Sequence, residues 1–140
     1  MTITQPKPGS AYSILLTDDD DGSRDVMARW LDDCGFLTRQ ATCGEEAIDI
    51  VRVETIHLVV FDLHMPRMTG LEALQQVRLF NERLPALLVT AGATREVIRQ
   101  AQQAQVYSVL PKPVNASLLL HLLRRALNST YPIQPTPSTE

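Results

Sequence analysis

The 140-residue chain contains little cysteine, few aromatic side chains and no long apolar segment. Its two cysteines, Cys34 and Cys43, are too few for a disulfide framework, and we expect both to be reduced, partly buried thiols. The longest apolar stretches, residues 58–61 and 118–123, fall far short of the ~20 residues that a membrane-spanning helix needs. Residues 1–10 contain no apolar h-region and therefore do not form a signal peptide. These absences predict a cytoplasmic protein that does not enter a membrane.

Basic residues are also few, and they form no cluster. The chain has 13 lysines and arginines against 16 aspartates and glutamates, which gives a net charge of −3 at pH 7. Because nucleic-acid-binding domains carry a basic patch or stripe, the sequence predicts no nucleic-acid partner for this domain. The apolar fraction of 44% and the charged fraction of 21% are ordinary for one soluble globular domain. What the chain does have is a run of four acids, Asp18, Asp19, Asp20 and Asp21.

The two ends of the chain differ in composition from its middle. Five of the nine prolines lie near the ends, at Pro6, Pro8, Pro132, Pro135 and Pro137. The stretch after residue 127 is also rich in serine and threonine, and such composition cannot bury enough apolar surface to fold. We therefore expect a flexible N-terminal segment over residues 1–12, a folded domain over 13–127, and a flexible tail or linker over 128–140.

Short apolar runs alternate with amphipathic segments inside the predicted domain. Continuous runs rich in Val, Leu and Ile are typical of strands buried on both faces of a parallel sheet, and they occur at 14–16, 58–61, 87–89 and 109–110. A more polar run at 37–41 fits an edge strand. Helical spacing predicts helices at 26–34, 45–51, 70–81, 94–103 and 117–127, with Gly35 ending the first. Right-handed crossovers then give a doubly wound α/β fold with helices on both faces of a five-stranded parallel sheet.

Polar residues follow the apolar runs at the predicted carboxyl ends of the strands. They are Asp18, Asp19, Asp62, Thr90 and Lys112. Open α/β sheets bind ligands in the crevice outside these ends, where the strand order reverses. If the strand order is 2-1-3-4-5, strands 1 and 3 are neighbours, and the three carboxylates converge on one pocket. Asp20 and Asp21 are instead interpreted as the start of a helix, where acids complement the helix dipole.

Three converging carboxylates repel one another and require a cation. Oxygen ligands in this number favour Mg²⁺ over zinc, and the acid run lacks the spacing of an EF-hand. Thr90 and Lys112 are placed to contact phosphoryl oxygens, and Lys112 is the only lysine of the domain in a chain with eleven arginines. A metal, a hydroxyl and an ammonium around one carboxylate predict phosphoryl transfer to a carboxylate nucleophile.

Four sequence stretches together resemble a known family. They read ILLTDDD at 14–20, VVFDLHMPRMTG at 59–70, LVTA at 88–91 and LPKP at 110–113. With this order and spacing, the chain resembles the receiver domain of two-component response regulators, and in particular the chemotaxis receivers, over residues 13–127. The resemblance implies a flavodoxin-like sheet of order 2-1-3-4-5.

The resemblance also implies a role for each site residue. Asp62 is the phosphoacceptor, and Asp18 and Asp19 hold Mg²⁺ together with Asp62 and the backbone carbonyl of His64. Thr90 supplies the switch hydroxyl. Lys112 contacts the phosphoryl group and precedes a cis peptide bond to Pro113.

The implied partners follow from the family. The phosphoryl group comes from a histidine kinase or a phosphotransfer protein, and the signal passes to a downstream protein or output domain through the face formed by helix 4, strand 5 and helix 5. The domain is then a phosphoacceptor module and not an enzyme. Two alternatives remain open: a phosphorylation-independent interaction scaffold, and a Mg²⁺-dependent phosphohydrolase, which would need an acid where the chain has His64.

Two positions depart from the family pattern. Receivers usually have Tyr or Phe three residues before the lysine, and this chain has Val109 there, with Tyr107 further along the same strand face. The Gly-Ala pair that usually opens strand 5 is replaced by Gln105 and Val106. Our hypothesis is that signalling relies on movement of the backbone and of helix 4.

Overall fold

The computed structural model describes residues 11–132, in which five strands alternate with five helices. The predicted flexible residues 1–10 and 133–140 lie outside this range. The strands are β1 (Ser13–Thr17), β2 (Leu37–Ala41), β3 (Leu58–Asp62), β4 (Ala86–Thr90) and β5 (Ser108–Pro111). The helices are α1 (Asp21–Asp33), α2 (Gly44–Val53), α3 (Gly70–Val77), α4 (Arg95–Gln103) and α5 (Ala116–Thr130).

The five strands form one parallel sheet of order β2-β1-β3-β4-β5, which confirms the predicted topology. All five residues of β3 and of β4 are buried, as expected for central strands covered on both faces. Edge strand β2 is mostly exposed, and of its five residues only Ala41 is buried. The order makes β1 and β3 neighbours, with Thr17 paired to Phe61 at their carboxyl ends.

Alternate strand residues point into two separate apolar layers. Ile14 and Leu16 pack with residues of α1 and α5 on one face of the sheet. Leu15 packs on the opposite face with residues of α2, α3 and α4. Because successive strand side chains point to opposite faces, this division follows directly from the continuous apolar runs in the sequence. The two layers fix the sheet rigidly beneath the loops at its carboxyl edge.

Side chains at the first turns stabilise four of the five helices. Asp20 caps α1 by accepting hydrogen bonds from the amides of Gly22 and Ser23, and Asp21 lies in the first turn. The interpretation of these two acids as a helix start is therefore confirmed. Thr69, Thr94 and Asn115 cap α3, α4 and α5 in the same way.

Helix α3 is shorter than predicted, because it ends at Val77 and not near residue 81. The amides of Leu79 and Phe80 bond to carbonyls three residues back, so the chain tightens into turns. Leu79 is 75% exposed, so its apolar character did not indicate a continued buried face. The Arg78 guanidinium turns away from the helix and donates to the carbonyls of Leu84, Ala104 and Gln105.

The folded region extends past both predicted boundaries. Helix α5 continues to Thr130, and the buried Tyr131 hydroxyl donates a hydrogen bond to the His57 carbonyl at 2.9 Å. The Tyr12 ring packs against the rings of both His57 and Tyr131. The assignment of residues 128–132 to a tail and of Tyr12 to a flexible segment is therefore wrong, because this aromatic cluster gives both ends of the domain apolar surface to bury.

No helix between residues 11 and 132 is long and apolar enough to cross a membrane. Both cysteines are free, as expected. Cys43 is half-buried, but Cys34 is exposed and not partly buried as predicted, because it follows the last residue of α1 as the chain turns toward β2. Gly35 adopts a φ of +88° in this turn, a conformation that glycine tolerates best.

Candidate functional site

Three carboxylates from two neighbouring strands meet at the carboxyl edge of the sheet. Asp18 and Asp19 directly follow β1, and Asp62 is the last residue of β3. Each carboxylate offers an oxygen, and these oxygens lie within 4.8 Å of one another. Asp18 and Asp62 are buried, whereas Asp19 is exposed at the rim. The structure thus brings together the three acids that the sequence placed at adjacent strand ends.

The Asp18 carboxylate has one oxygen with a hydrogen bond and one without. Oδ1 accepts a hydrogen bond from the Asp20 amide at 2.8 Å, whereas the buried Oδ2 has no hydrogen-bond partner. Burial, reinforced by the nearby charge of Asp62, raises the pKa of the Asp18 carboxyl. A buried acceptor without a donor is costly. An oxygen-preferring cation such as Mg²⁺ fits this position because it would satisfy that oxygen and reduce the repulsion among the acids.

Lys112 supplies the positive charge beside the acids. It follows the last residue of β5, and its amide donates to the Thr90 carbonyl at 3.0 Å. Its Nζ lies 2.9 Å from Asp62 Oδ2 and 3.7 Å from Asp18 Oδ2. Partial burial opposes the charged form, but the hydrogen bond and charge of Asp62 outweigh it, so the pKa of the Lys112 ammonium is raised. The peptide bond between Lys112 and Pro113 is cis, as the family resemblance implied.

Thr90 is the last residue of β4, the strand that pairs with β3, and His64 follows Asp62 by two residues. The Thr90 side chain is fully buried at the end of β4, and its hydroxyl accepts a hydrogen bond from the Gly92 amide at 3.1 Å. The His64 side chain is exposed, while its backbone amide donates to Asp62 Oδ1 at 3.4 Å. Thr90 is thus beside the pocket, with its hydroxyl engaged by the following loop and not by a carboxylate.

Val109 stands at the position where the family resemblance leads us to expect Tyr or Phe. Val109 is partly buried and packs against the apolar layer under α2, α3 and α4. Tyr107 lies just before β5 and is 38% exposed. The side chain nearest in sequence that could replace the missing ring is therefore at the surface and precedes the strand.

Arg24 is a site residue that the sequence reasoning missed. It is 7% exposed, and its guanidinium donates to the Asp18 carbonyl at 2.6 Å. The signal was present, because residues 24, 27, 28 and 31 form the buried face of α1, and an arginine at such a position needs paired acceptors.

Gly70 is a second missed residue, at the first position of α3. A β-carbon built there would collide with the main chain of Asp62 and approach the Phe61 β-carbon to 3.1 Å. The Gly70 amide donates to the Leu63 carbonyl at 2.9 Å, which holds the loop after Asp62 against the helix. The absence of a side chain at Gly70 therefore permits the main-chain position of Asp62.

An apolar groove of about 680 Å³ opens beside the pocket. Asp18 and Lys112 lie at its polar end. Its apolar walls come from α1 and from the loop after β5, through Val26, Met27, Trp30, Pro113 and Val114. A partner that reaches the carboxylates along this groove would bury apolar surface on the way.

Taken together, these contacts give the pocket a defined chemistry. It holds the buried Asp62 carboxylate, two further acids suited to a divalent cation, and one ammonium paired with Asp62. Phosphoryl transfer depends on positioning and on neutralising the charge of the transferred group, and both are available here.

A family model described as the response regulator receiver domain matches residues 14–124. The chain is 34% identical over 130 residues to the sensory/regulatory protein RpfC of Xanthomonas campestris, covering 90% of this chain and 18% of that protein. It is also 34% identical over 119 residues to the response regulator MprA of Mycolicibacterium vanbaalenii, covering 85% of this chain and 52% of that one. The chain thus spans about half or less of these curated relatives.

Solved structures give the same result for the fold. A CheY-like receiver domain protein from Methanospirillum hungatei superposes with a TM-score of 0.82 at 26% identity, covering 86% of this chain and 97% of that one. The Vibrio cholerae chemotaxis protein CheY4 superposes with a TM-score of 0.80 at 27% identity, covering 84% of this chain and 99% of that one.

Proposed function

Because the chain belongs to the family of response regulator receiver domains, we propose that it accepts a phosphoryl group on Asp62 in a Mg²⁺-dependent reaction. The observation that carries this proposal is the convergence of Asp18, Asp19 and Asp62 with Lys112 at one strand edge. The domain is then a signalling module whose modification changes its conformation. Its free thiols, Cys34 and Cys43, support a cytoplasmic location, since thiols stay reduced there.

In the proposed reaction an oxygen of Asp62 attacks the phosphorus of the donor. The bond between phosphorus and the donor's imidazole nitrogen breaks, and an acyl phosphate forms on Asp62. The surroundings of Asp62 support this role, because its two oxygens are held by Lys112 Nζ and the His64 amide. Fixing the carboxylate before the donor arrives lowers the entropic part of the barrier.

The proposed cation ligands are the carboxylates of Asp18, Asp19 and Asp62 with the backbone carbonyl of His64. A bound Mg²⁺ would neutralise negative charge on the carboxylates and on the incoming phosphoryl oxygens. The buried Asp18 Oδ2, which accepts no hydrogen bond, supports a ligand at this point. Lys112 would move its ammonium from the Asp62 carboxylate to a phosphoryl oxygen, and the Thr90 hydroxyl would donate to another.

The proposed switch uses the backbone and α4, because Val109 offers no ring that could rotate. Thr90 already bonds to the loop that leads into α4, through the Gly92 amide. A hydroxyl drawn toward a phosphoryl group would release that amide and shift the start of α4. Structures of the two states in which Thr90 moves together with the Tyr107 ring would contradict this route.

The proposed phosphodonor is a histidine kinase or a phosphotransfer protein that approaches along the apolar groove. The groove supports such a donor because it ends at Asp18 and Lys112. For the downstream partner we propose the face of α4, β5 and α5. Exposed apolar side chains on and beside these elements support this choice, namely Ile98, Tyr107 and Leu118.

Intact mass measurement tests the proposed function. The protein is incubated with Mg²⁺ and a small acyl-phosphate donor, and wild type is compared with Asp62→Asn. Asp49→Asn is the control, because it removes an exposed acid of α2 that does not belong to the carboxylate cluster. We expect one added phosphoryl group in wild type and D49N, none in D62N, and none when Mg²⁺ is chelated.

Other outcomes of the same measurement would reject the proposal. No added mass in wild type would favour the interaction scaffold. Rapid turnover of unrelated phosphate esters would favour the phosphohydrolase.

A further inference from the structure

Arg24 is a buried arginine that lies directly behind the acidic pocket. It is 7% exposed and shares the buried face of α1 with Met27, Ala28 and Leu31. Burying a charged group costs free energy unless its hydrogen-bond donors are satisfied. The acceptors that the Arg24 guanidinium contacts therefore indicate its role.

Three nitrogens of the guanidinium each donate to a different segment. Nη1 donates to the Asp18 carbonyl at 2.6 Å, and Nη2 donates to Asp21 Oδ1 at 2.6 Å. Nε donates to Gln40 Oε1 on the edge strand β2 at 2.8 Å. One planar group therefore fixes the loop after β1 against the start of α1 and the end of β2.

The first of these acceptors belongs to the peptide unit between Asp18 and Asp19. A hydrogen bond to this carbonyl fixes the plane of the peptide, and the plane sets the directions in which the two carboxylates leave the main chain. On either side of this peptide, Asp18 is buried and Asp19 is exposed, yet both belong to one cluster of carboxylates.

We propose that Arg24 is a positioning residue of the cation site, an inference that rests on the proposed function. Arg24 touches neither the cation nor the phosphoryl group in this proposal. It holds the Asp18–Asp19 peptide so that both carboxylates reach one ion. Residues that orient metal ligands typically contribute about 10–100-fold to metal affinity.

The experiment is a Mg²⁺ titration of the unphosphorylated full chain followed by NMR. The Asp20 amide is the probe, because it donates to Asp18 Oδ1 and so reports on that carboxylate. We expect Mg²⁺ to bind about tenfold more weakly to Arg24→Met than to wild type. Arg24→Lys can keep one donor but not the three-way contact, and we expect an intermediate affinity.

Arg39→Met is the matched control. It removes an exposed arginine that pairs with Glu54 at 2.7 Å and not with the clustered aspartates. We expect R39M to bind Mg²⁺ as wild type does. A purely structural role of Arg24 would lower the melting temperature without changing Mg²⁺ affinity. If R24M does not give the spectrum of a folded protein, R24K decides, and a weakening of less than about threefold overturns the inference.

The two proposals fail in different ways. If wild type shows no Mg²⁺-dependent shift at the Asp20 amide, the proposed function fails, and the role of Arg24 fails with it. If wild type binds Mg²⁺ and is phosphorylated, but a folded R24M binds equally well, only the inference about Arg24 is wrong.

Discussion

Gly70 packs directly against the main chain of Asp62, so closely that no β-carbon fits between them. We expect Gly70→Ala to lower the free energy of unfolding by about 1–3 kcal/mol, because the helix start and the Asp62 loop must move apart. Urea unfolding measures this effect. Gly92→Ala is the control, since a β-carbon there meets no atom within 4 Å. Equal stability of the two variants would contradict the prediction.

The Lys112 ammonium compensates two buried carboxylates at once, at 2.9 Å from Asp62 and 3.7 Å from Asp18. We expect Lys112→Met to lower the free energy of unfolding by about 1–3 kcal/mol without Mg²⁺, because buried charges lose their partner. Mg²⁺ should then raise the melting temperature of K112M more than that of wild type. Thermal melts across a Mg²⁺ series measure both effects. An equal response of the two proteins would show that the ammonium and the cation do not share these acids.

Gln105 adopts a left-handed backbone with a φ of +56°, at the position where receivers usually have glycine. Such a conformation costs a residue with a side chain about 1–2 kcal/mol. We expect Gln105→Gly to raise the free energy of unfolding by about 0.5–1 kcal/mol, since glycine also loses more backbone entropy on folding. Gln103→Gly, in the exposed last turn of α4, should instead lower it by about 1 kcal/mol. Denaturant unfolding of both variants tests the contrast, and a destabilised Q105G would refute it.

Burial, together with the nearby Tyr12, raises the pKa of Tyr131 to about 12 from its ordinary value of 10. Between these values the unfolded chain loses this proton while the folded chain keeps it. The free energy of unfolding should therefore fall by about 2 kcal/mol between pH 10 and pH 12. Below pH 10 the contribution is fully present.

Tyr131→Phe should lose this pH dependence and about 1 kcal/mol at neutral pH, because the hydrogen bond to His57 is gone. Tyr107→Phe, at an exposed ring, is the control and should keep the wild-type profile. Unfolding followed against pH distinguishes the variants. An unchanged profile in Y131F would mean that another group causes the alkaline loss.

The strand pattern was predictable because it depends on local sequence, and the acid pocket followed once the family resemblance implied the strand order. An apolar run such as 58–61 indicates a strand of a sheet that is covered on both faces. The polar residue that follows such a strand must lie at the carboxyl edge of the sheet. Contacts between distant segments were not predictable in this way. Arg78, which follows α3, donates to carbonyls near residue 105, and the buried Tyr131 packs against the rings of Tyr12 and His57.

The site shows the same division. Asp18, Asp19 and Asp62 follow from strand ends, and Lys112 stands out by its rarity among arginines. The roles of Arg24 and Gly70 were not predicted, because each depends on contact with the main chain of a site residue. The spacing of residues in the sequence does not reveal such contacts. A charged residue on the buried face of α1 was the one local sign of Arg24.

The aromatic cluster of Tyr12, His57 and Tyr131 has a consequence for how far a signal must travel. The Tyr12 and Tyr131 rings lie 5.8 Å apart at the amino edge of the sheet, while the acids lie at its carboxyl edge. The five residues of β1 separate the two edges, a path of roughly 17 Å at about 3.3 Å per residue. Tyr12 and Tyr131 therefore both lie one strand length away from the acidic pocket. A structural change at the pocket must cross the sheet to reach them, and it reaches both residues at the same edge.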